Sequence, residues 1–142
     1  MSILVDIRAG ITLPTALETF APGIERSSHF LDLSDDWDGE GSPGYHETTW
    51  RQAVTLVVRS ASAFIESHPE ETPPPPIFAK GQDGSIDIVW DAGEKRLMIN
   101  VPAENDEPVA YHGFDRSNDA REVKGSLDPA DQNDWIVRWL TA

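Results

Sequence analysis

The densest chemistry in this sequence lies in Asp35-Asp36-Trp37-Asp38-Gly39-Glu40-Gly41. No lysine or arginine falls between Arg26 and Arg51, while Asp32, Asp35, Asp36, Asp38, Glu40 and Glu47 all lie in that gap. Three kinds of chemistry fit such a segment. The first is calcium binding. Counted from Asp36, the pattern D-x-D-x-E-G-x5-E puts Gly41 at position six and Glu47 at position twelve, close to EF-hand spacing. Asp36, Asp38, Glu40 and Glu47 would be the oxygen ligands. Pro43 at position eight argues against it, because proline cannot donate the backbone hydrogen bond by which such loops pair, and no second loop of the kind exists. The second reading is structural. Trp37 anchors the loop in the core, Asp38 accepts backbone N–H groups of the glycine turn, and Gly39 and Gly41 take positive φ. The third is a partner-binding surface. Asp32, Asp35, Asp36, Asp38 and Glu40 supply the charge, and Trp37 or Trp139 supplies the aromatic anchor such interfaces use. The structural and binding readings are compatible.

Catalytic constellations are missing from the sequence. His29, His46, His68 and His112 are scattered, and no H-E-x-x-H, G-x-S-x-G, G-x-x-x-x-G-K-[ST] or G-x-G-x-x-G occurs. There is no cysteine, which excludes thiolate chemistry, disulfides and cysteine-held metals. The expectation is a protein that is not an enzyme and uses no cofactor.

The elements that would position the acidic segment follow from periodicity. Trp50, Ala53, Val54, Val57, Ala61, Phe64 and Ile65 recur at helical spacing over residues 46–67. Glu47 suits the positive end of that helix, and His68-Pro69 ends it. Pro73 to Pro76 read as a stiff connector. Residues 77–80, 85–90, 96–101 and 109–114 read as strands, with Ile86, Ile88 and Trp90, then Leu97, Ile99 and Val101, on one face. A short strand is expected over 3–7, an irregular stretch over 8–23 with at most a short helix around Thr15–Phe20, a loop over 34–44, a polar turn over 102–108 whose Glu104, Asp106 and Glu107 only solvate the hairpin tip, and another loop over 115–126. The last helix is expected to open at Asp128-Pro129 and to gather Trp135, Ile136, Trp139 and Leu140 on one side, with Trp139 the most exposed of the five tryptophans. The fold class is therefore α+β: one domain over residues 1–142, a two-layer sandwich. An antiparallel meander of three to four strands carries helices near 24–34, 46–67 and 128–141 on one face.

Composition narrows the partners. The chain has 142 residues, 11 Lys+Arg and 25 Asp+Glu, for a net charge of −14. Direct nucleic-acid binding is disfavoured, because phosphate contacts need Lys and Arg, and so is docking on anionic membranes. With 39% hydrophobic residues and 5 Trp the chain is too apolar for a disordered acidic tail. No apolar run reaches the roughly 18 residues of a membrane span, and Met1–Gly10 has no signal-peptide pattern. A cytoplasmic protein is expected, of undetermined oligomeric state.

Trp37-Asp38-Gly39-Glu40-Gly41, the following Ser42-Pro43, the long helix, the proline connector and the Gly81-x-Asp83-Gly84 hairpin with Ile86-x-Ile88-x-Trp90 together carry a resemblance. Over about residues 30–101 the chain resembles a broad set of small W-D-G-x-G proteins of bacteria, phages and mobile elements. That set has no assigned activity, so the resemblance implies a fold and not a function. Asp35 and Asp36 look like embellishments on the shared pattern.

Charge then sets the functional expectation. A strongly negative field steers association with basic grooves, and carboxylates on a rigid scaffold can stand in for nucleic-acid phosphates. The expected role is a protein-binding inhibitor of a basic, nucleic-acid-handling partner, of the phage or mobile-element anti-defence type, for example an anti-CRISPR. An antitoxin or immunity protein is the alternative, and a calcium-dependent regulator working through residues 36–47 is the other.

Overall fold

A computed structural model describes residues 2–5, 10–104 and 106–142, with side chains from Gly10 onward. The long helix, α2, runs Glu47–Ser67. Its apolar period buries Trp50, Ala53, Val54, Leu56, Val57, Ala61 and Phe64 on one side. The helix stops where expected: the His68 N–H still bonds the Phe64 carbonyl at 2.8 Å, and the imidazole stacks on the Phe64 ring at 4.4 Å.

The buried side of α2 meets an antiparallel sheet of five strands in sequential order: β3 (Ile77–Lys80), β4 (Ile86–Ala92), β5 (Lys95–Val101), β6 (Val109–Asp115) and β7 (Val123–Leu127). Cross-strand neighbours Ile88 and Ile99, and Trp90 and Leu97, point into the same core layer. Period-two alternation thus puts one apolar face under the helices and leaves the other open. The α+β class and the antiparallel meander are as expected from sequence, with one more strand.

That extra strand is β7, in a stretch expected to be loop. Val123–Leu127 pairs with β6 from Gly113–Val123 to Val109–Leu127. It is an edge strand with little buried surface, so packing imposes no apolar alternation on it. Gly113 of β6 is required by a close approach. A Cβ there would lie 2.8 Å from Trp139 Cη2, 2.9 Å from Leu97 Cδ1 and 3.0 Å from Val123 Cγ2.

Residues 15–32 are helical nearly throughout, and the short helix allowed around Thr15–Phe20 does form. A 3-10 helix over Thr15–Phe20 leads into α1 (Ala21–Ser28) and a second 3-10 turn over His29–Asp32. The helix expected over 24–34 therefore starts and stops early. Pro22 is tolerated because it falls in the first turn, where its missing N–H has no intrahelical partner to lose. Leu17, Phe20 and Ile24 join the core, and Ser27 Oγ accepts the Trp50 indole N–H at 2.8 Å. β1 (Ser2–Val5) pairs with β2 (Ile11–Pro14) in a separate hairpin. Residues 6 and 7 of the strand expected over 3–7 lie outside the described residues.

The last helix, α3, is Trp135–Thr141 and does not open at Asp128-Pro129. Asp128 instead closes a turn, its carboxylate accepting the Ala130 N–H at 2.9 Å. Asn133 then takes φ +52°, a left-handed step that a helix cannot pass through. In the connector, Pro73 and Pro76 are buried and the Trp90 indole N–H donates to the Pro74 carbonyl at 2.6 Å. The proline run is thus packed onto the sheet. Among the described residues no helix is long and apolar enough to cross a membrane.

Candidate functional site

The acidic segment folds as a loop that binds its own backbone. Asp35 Oδ1 accepts the Gly44 N–H at 2.9 Å, and Asp36 Oδ1 accepts the Gly41 N–H at 2.7 Å. Asp38 Oδ1 accepts the Glu40 N–H at 2.9 Å, and Asp38 Oδ2 accepts the Ser42 hydroxyl. Hydrogen bonds to the charged form, from the Ser42 hydroxyl first and the Glu40 N–H next, hold the Asp38 carboxyl below its ordinary value of 3.8. Gly39 and Gly41 take φ +74° and +82°, the left-handed conformations expected of them. Asp36 also sits at φ +62°. Asp35 and Asp36 are therefore integral to closure of this loop.

Trp37 is half-buried, and its indole N–H donates to the Pro43 carbonyl at 3.0 Å. Its ring packs beside Tyr45 with centroids 6.2 Å apart, and the Lys80 ammonium lies 4.6 Å from the ring centroid. Tyr45 ties the loop to the sheet by donating to the Gly81 carbonyl at 3.1 Å. Burial, then the negative fields of Asp38 and Asp87, push the Tyr45 phenol up from 10.0.

The loop therefore sits at one end of the sheet. The turn after β3 is beside it: a Cβ on Gly84 would lie 3.4 Å from the Gly44 carbonyl and 3.3 Å from Ala103 Cβ of the β5–β6 turn. Three chain segments, 35–44, 80–85 and 102–108, thus converge. They carry Asp35, Asp36, Asp38, Glu40, Asp83, Glu104, Asp106 and Glu107, and Lys80 is their one Lys or Arg. Between the two turns Asp83, Asp87, Asn100, Glu104 and Glu107 line an open hollow of about 570 Å³. Asn100 Nδ2 donates to Asp87 Oδ1 at 2.8 Å and to Ser85 Oγ at 3.0 Å. Glu104 and Glu107, in the turn read from sequence as merely solvated, are half of this acidic rim. Strand register was the available clue, since Asp87 and Asn100 are cross-strand partners on the face away from the core.

Not all the expected site residues gather here. Asp32 precedes the loop at the end of the 3-10 turn, 3.3 Å from His29 Nδ1. Trp139 lies at the opposite end of the sheet and is half-buried. Its indole N–H donates to the Arg121 carbonyl at 3.1 Å, and the Lys95 ammonium sits 5.6 Å from its ring centroid. It cannot share one surface with Trp37, and its expected exposure gives way to packing over Gly113. In the calcium reading Asp36 and Asp38 spend oxygens on loop N–H groups, and Glu47 lies in α2, 3.9 Å from Arg51 Nε. Among the described residues no group of three or more His, Asp or Glu side chains is placed to hold a metal ion.

No family model matches this chain, no curated protein matches it, and no solved structure matches it.

Proposed function

We propose that the acidic end of the sheet is a docking surface for a basic protein that handles nucleic acid, and that the chain inhibits that protein by occupying its phosphate-binding surface. The observation that carries this reading is the convergence of three segments with eight carboxylates and a single lysine, the ammonium of which is turned onto Trp37. Such a one-signed surface focuses field toward a basic groove and raises association rates. The loop and turns are braced by backbone hydrogen bonds, so the charges are held in place before a partner arrives. An anti-defence inhibitor of phage or mobile-element type is the concrete form of this role, with an antitoxin or immunity protein as the form in which the partner is a toxin.

The test is capture of a stoichiometric partner from host lysate, followed by association kinetics over a salt series. Exposed charges are screened beyond about 8 Å at physiological salt, so the on-rate should fall steeply with salt and the off-rate should change less. Nucleic acid should compete with the chain for the partner. A partner that is acidic, or that has no nucleic-acid function, overturns the reading.

A further inference from the structure

Among the described residues nothing covers the sheet face opposite the helices. Its central row runs Ile77, Val89, Met98, His112 and Lys124, one residue from each strand in register. Ile77 is 60% exposed and Met98 is 41% exposed, and these two are the exposed large hydrophobic side chains among the described residues. Single exposed apolar side chains are ordinary on a protein surface. Here both lie on one row, with half-buried Val89 between them. The acidic hollow borders this strip. Asp87 is two residues from Val89 on β4, and Asn100 is two residues from Met98 on β5, a step of about 7 Å along a strand.

We propose that a basic segment of the partner seats on this face. One of its apolar side chains covers Ile77, Val89 and Met98, while a neighbouring arginine or lysine enters the hollow lined by Asp83, Asp87, Glu104 and Glu107. This rests on the docking function proposed above and narrows it to a face and a sequence chemistry. Charge complementarity selects the occupant, since no Lys or Arg lines the hollow. An apolar centre beside a charged rim is the usual anatomy of a protein interface. The Trp37 loop offers no equivalent anchor, because its indole N–H is bonded and its ring carries Lys80. The far half of the row suits the same segment less: Lys124 is cationic, and the Glu122 carboxylate there is already bonded to His112 at 2.7 Å. The segment therefore lies over β3 to β5.

The defined probe is a nine-residue peptide alternating arginine and leucine, titrated into the isotope-labelled full chain at low salt and followed by amide shifts. Two controls alternate arginine with glycine and serine with leucine. Shifts are expected at Val89, Met98 and Asn100, with the two controls at least tenfold weaker. Met98→Ser, and separately Glu104→Gln with Glu107→Gln, should each weaken the arginine-leucine peptide about tenfold. All three substituted residues are exposed, so these variants should fold, which their amide spectra would verify. Equal binding of the arginine-glycine peptide, unchanged binding by Met98→Ser, or shifts confined to residues 35–44 would each overturn the face while leaving charge-driven docking intact. No shift with the arginine-leucine peptide also overturns the face, and the salt series with the captured partner judges the docking function by itself. Concentration-dependent shifts at Met98 without peptide would show that a second copy covers the face, and would overturn the proposal too.

Discussion

The two ends of the five-stranded sheet use charge in opposite ways. At the loop end, carboxylates point outward and are satisfied by N–H and O–H groups a few residues away in the same segment, as Asp38 is by Glu40 and Ser42. At the other end, cross-strand partners Lys95 and Asp115 are 6% and 4% exposed. Lys95 Nζ donates to the Trp139 and Ala142 carbonyls at 2.8 and 2.6 Å, so it ties the end of α3 to the sheet. Asp115 accepts both the N–H and the hydroxyl of Ser117 and lies 3.9 Å from Arg121 Nε. Charge there holds tertiary elements together and is committed. The loop carboxylates Asp35, Asp36 and Asp38 hold only their own segment, and an ionised carboxylate keeps unused acceptor sites after one or two such bonds. Only the loop end can exchange water for a partner's cations without disturbing the fold.

Substitutions can break this contrast, beginning where packing is tightest. Gly113→Val inserts a branched side chain among Trp139, Leu97 and Val123 and should destabilise the chain by about 3 kcal/mol in denaturant unfolding. Lys95→Met removes a buried cation and leaves the Trp139 and Ala142 carbonyls without their donor. The loss should be about 2 kcal/mol, with earlier hydrogen exchange in α3 than elsewhere. Were Lys95→Met neutral, the lysine would be a tolerated passenger and the contrast between the ends would fail. Burial, then the nearby Arg121, lowers the Lys95 ammonium below 10.5, opposed by Asp115, so part of the cation's benefit is offset by its desolvation.

At the loop end the effects should be smaller. Gly39→Val forces a β-branched residue to φ +74° and should destabilise by about 1 kcal/mol. Acid should act at both ends. Asp38 and Asp115 have lowered carboxyl pKa values, each held down chiefly by a serine hydroxyl. A lowered folded-state value means the stabilisation is complete above the unfolded value, near 3.8, and is lost as pH falls through the folded one. Asp38→Asn should accordingly flatten part of the acid limb of a stability-against-pH curve. The smallest stability effect belongs to Glu104→Gln with Glu107→Gln, within about 0.5 kcal/mol as for other exposed sites. The same pair gives the cleaner test of partner binding, because Asp35→Lys and Asp36→Lys also remove the side-chain bonds that close the loop.

Periodicity made most of the scaffold legible. The span of α2, the inward set Ile86, Ile88, Trp90, Leu97, Ile99 and the glycine conformations at 39 and 41 follow from local rules of helix, strand and turn. Those rules failed where burial was slight or a side chain bonded its own turn. β7 showed no alternation because its surface is mostly wet, and Asp128-Pro129 resembled a helix start because the same carboxylate geometry closes a turn. Trp139 was misplaced for another reason: a tryptophan near a chain end is exposed or packed according to what lies opposite, and Gly113 lies opposite.

Residue identity and short-range spacing were enough for the sign of the charge, the lack of thiol chemistry, the amphipathic helix and the strand faces. It took the closed fold to stand residues 80–85 and 102–108 beside the 35–44 loop, to put Ile77 and Met98 on one row, and to bury Lys95 and Asp115 as cross-strand neighbours. Those relations join residues far apart in the chain. They are set by strand register and by closure of the core between helix and sheet, and register depends on the whole apolar pattern at once.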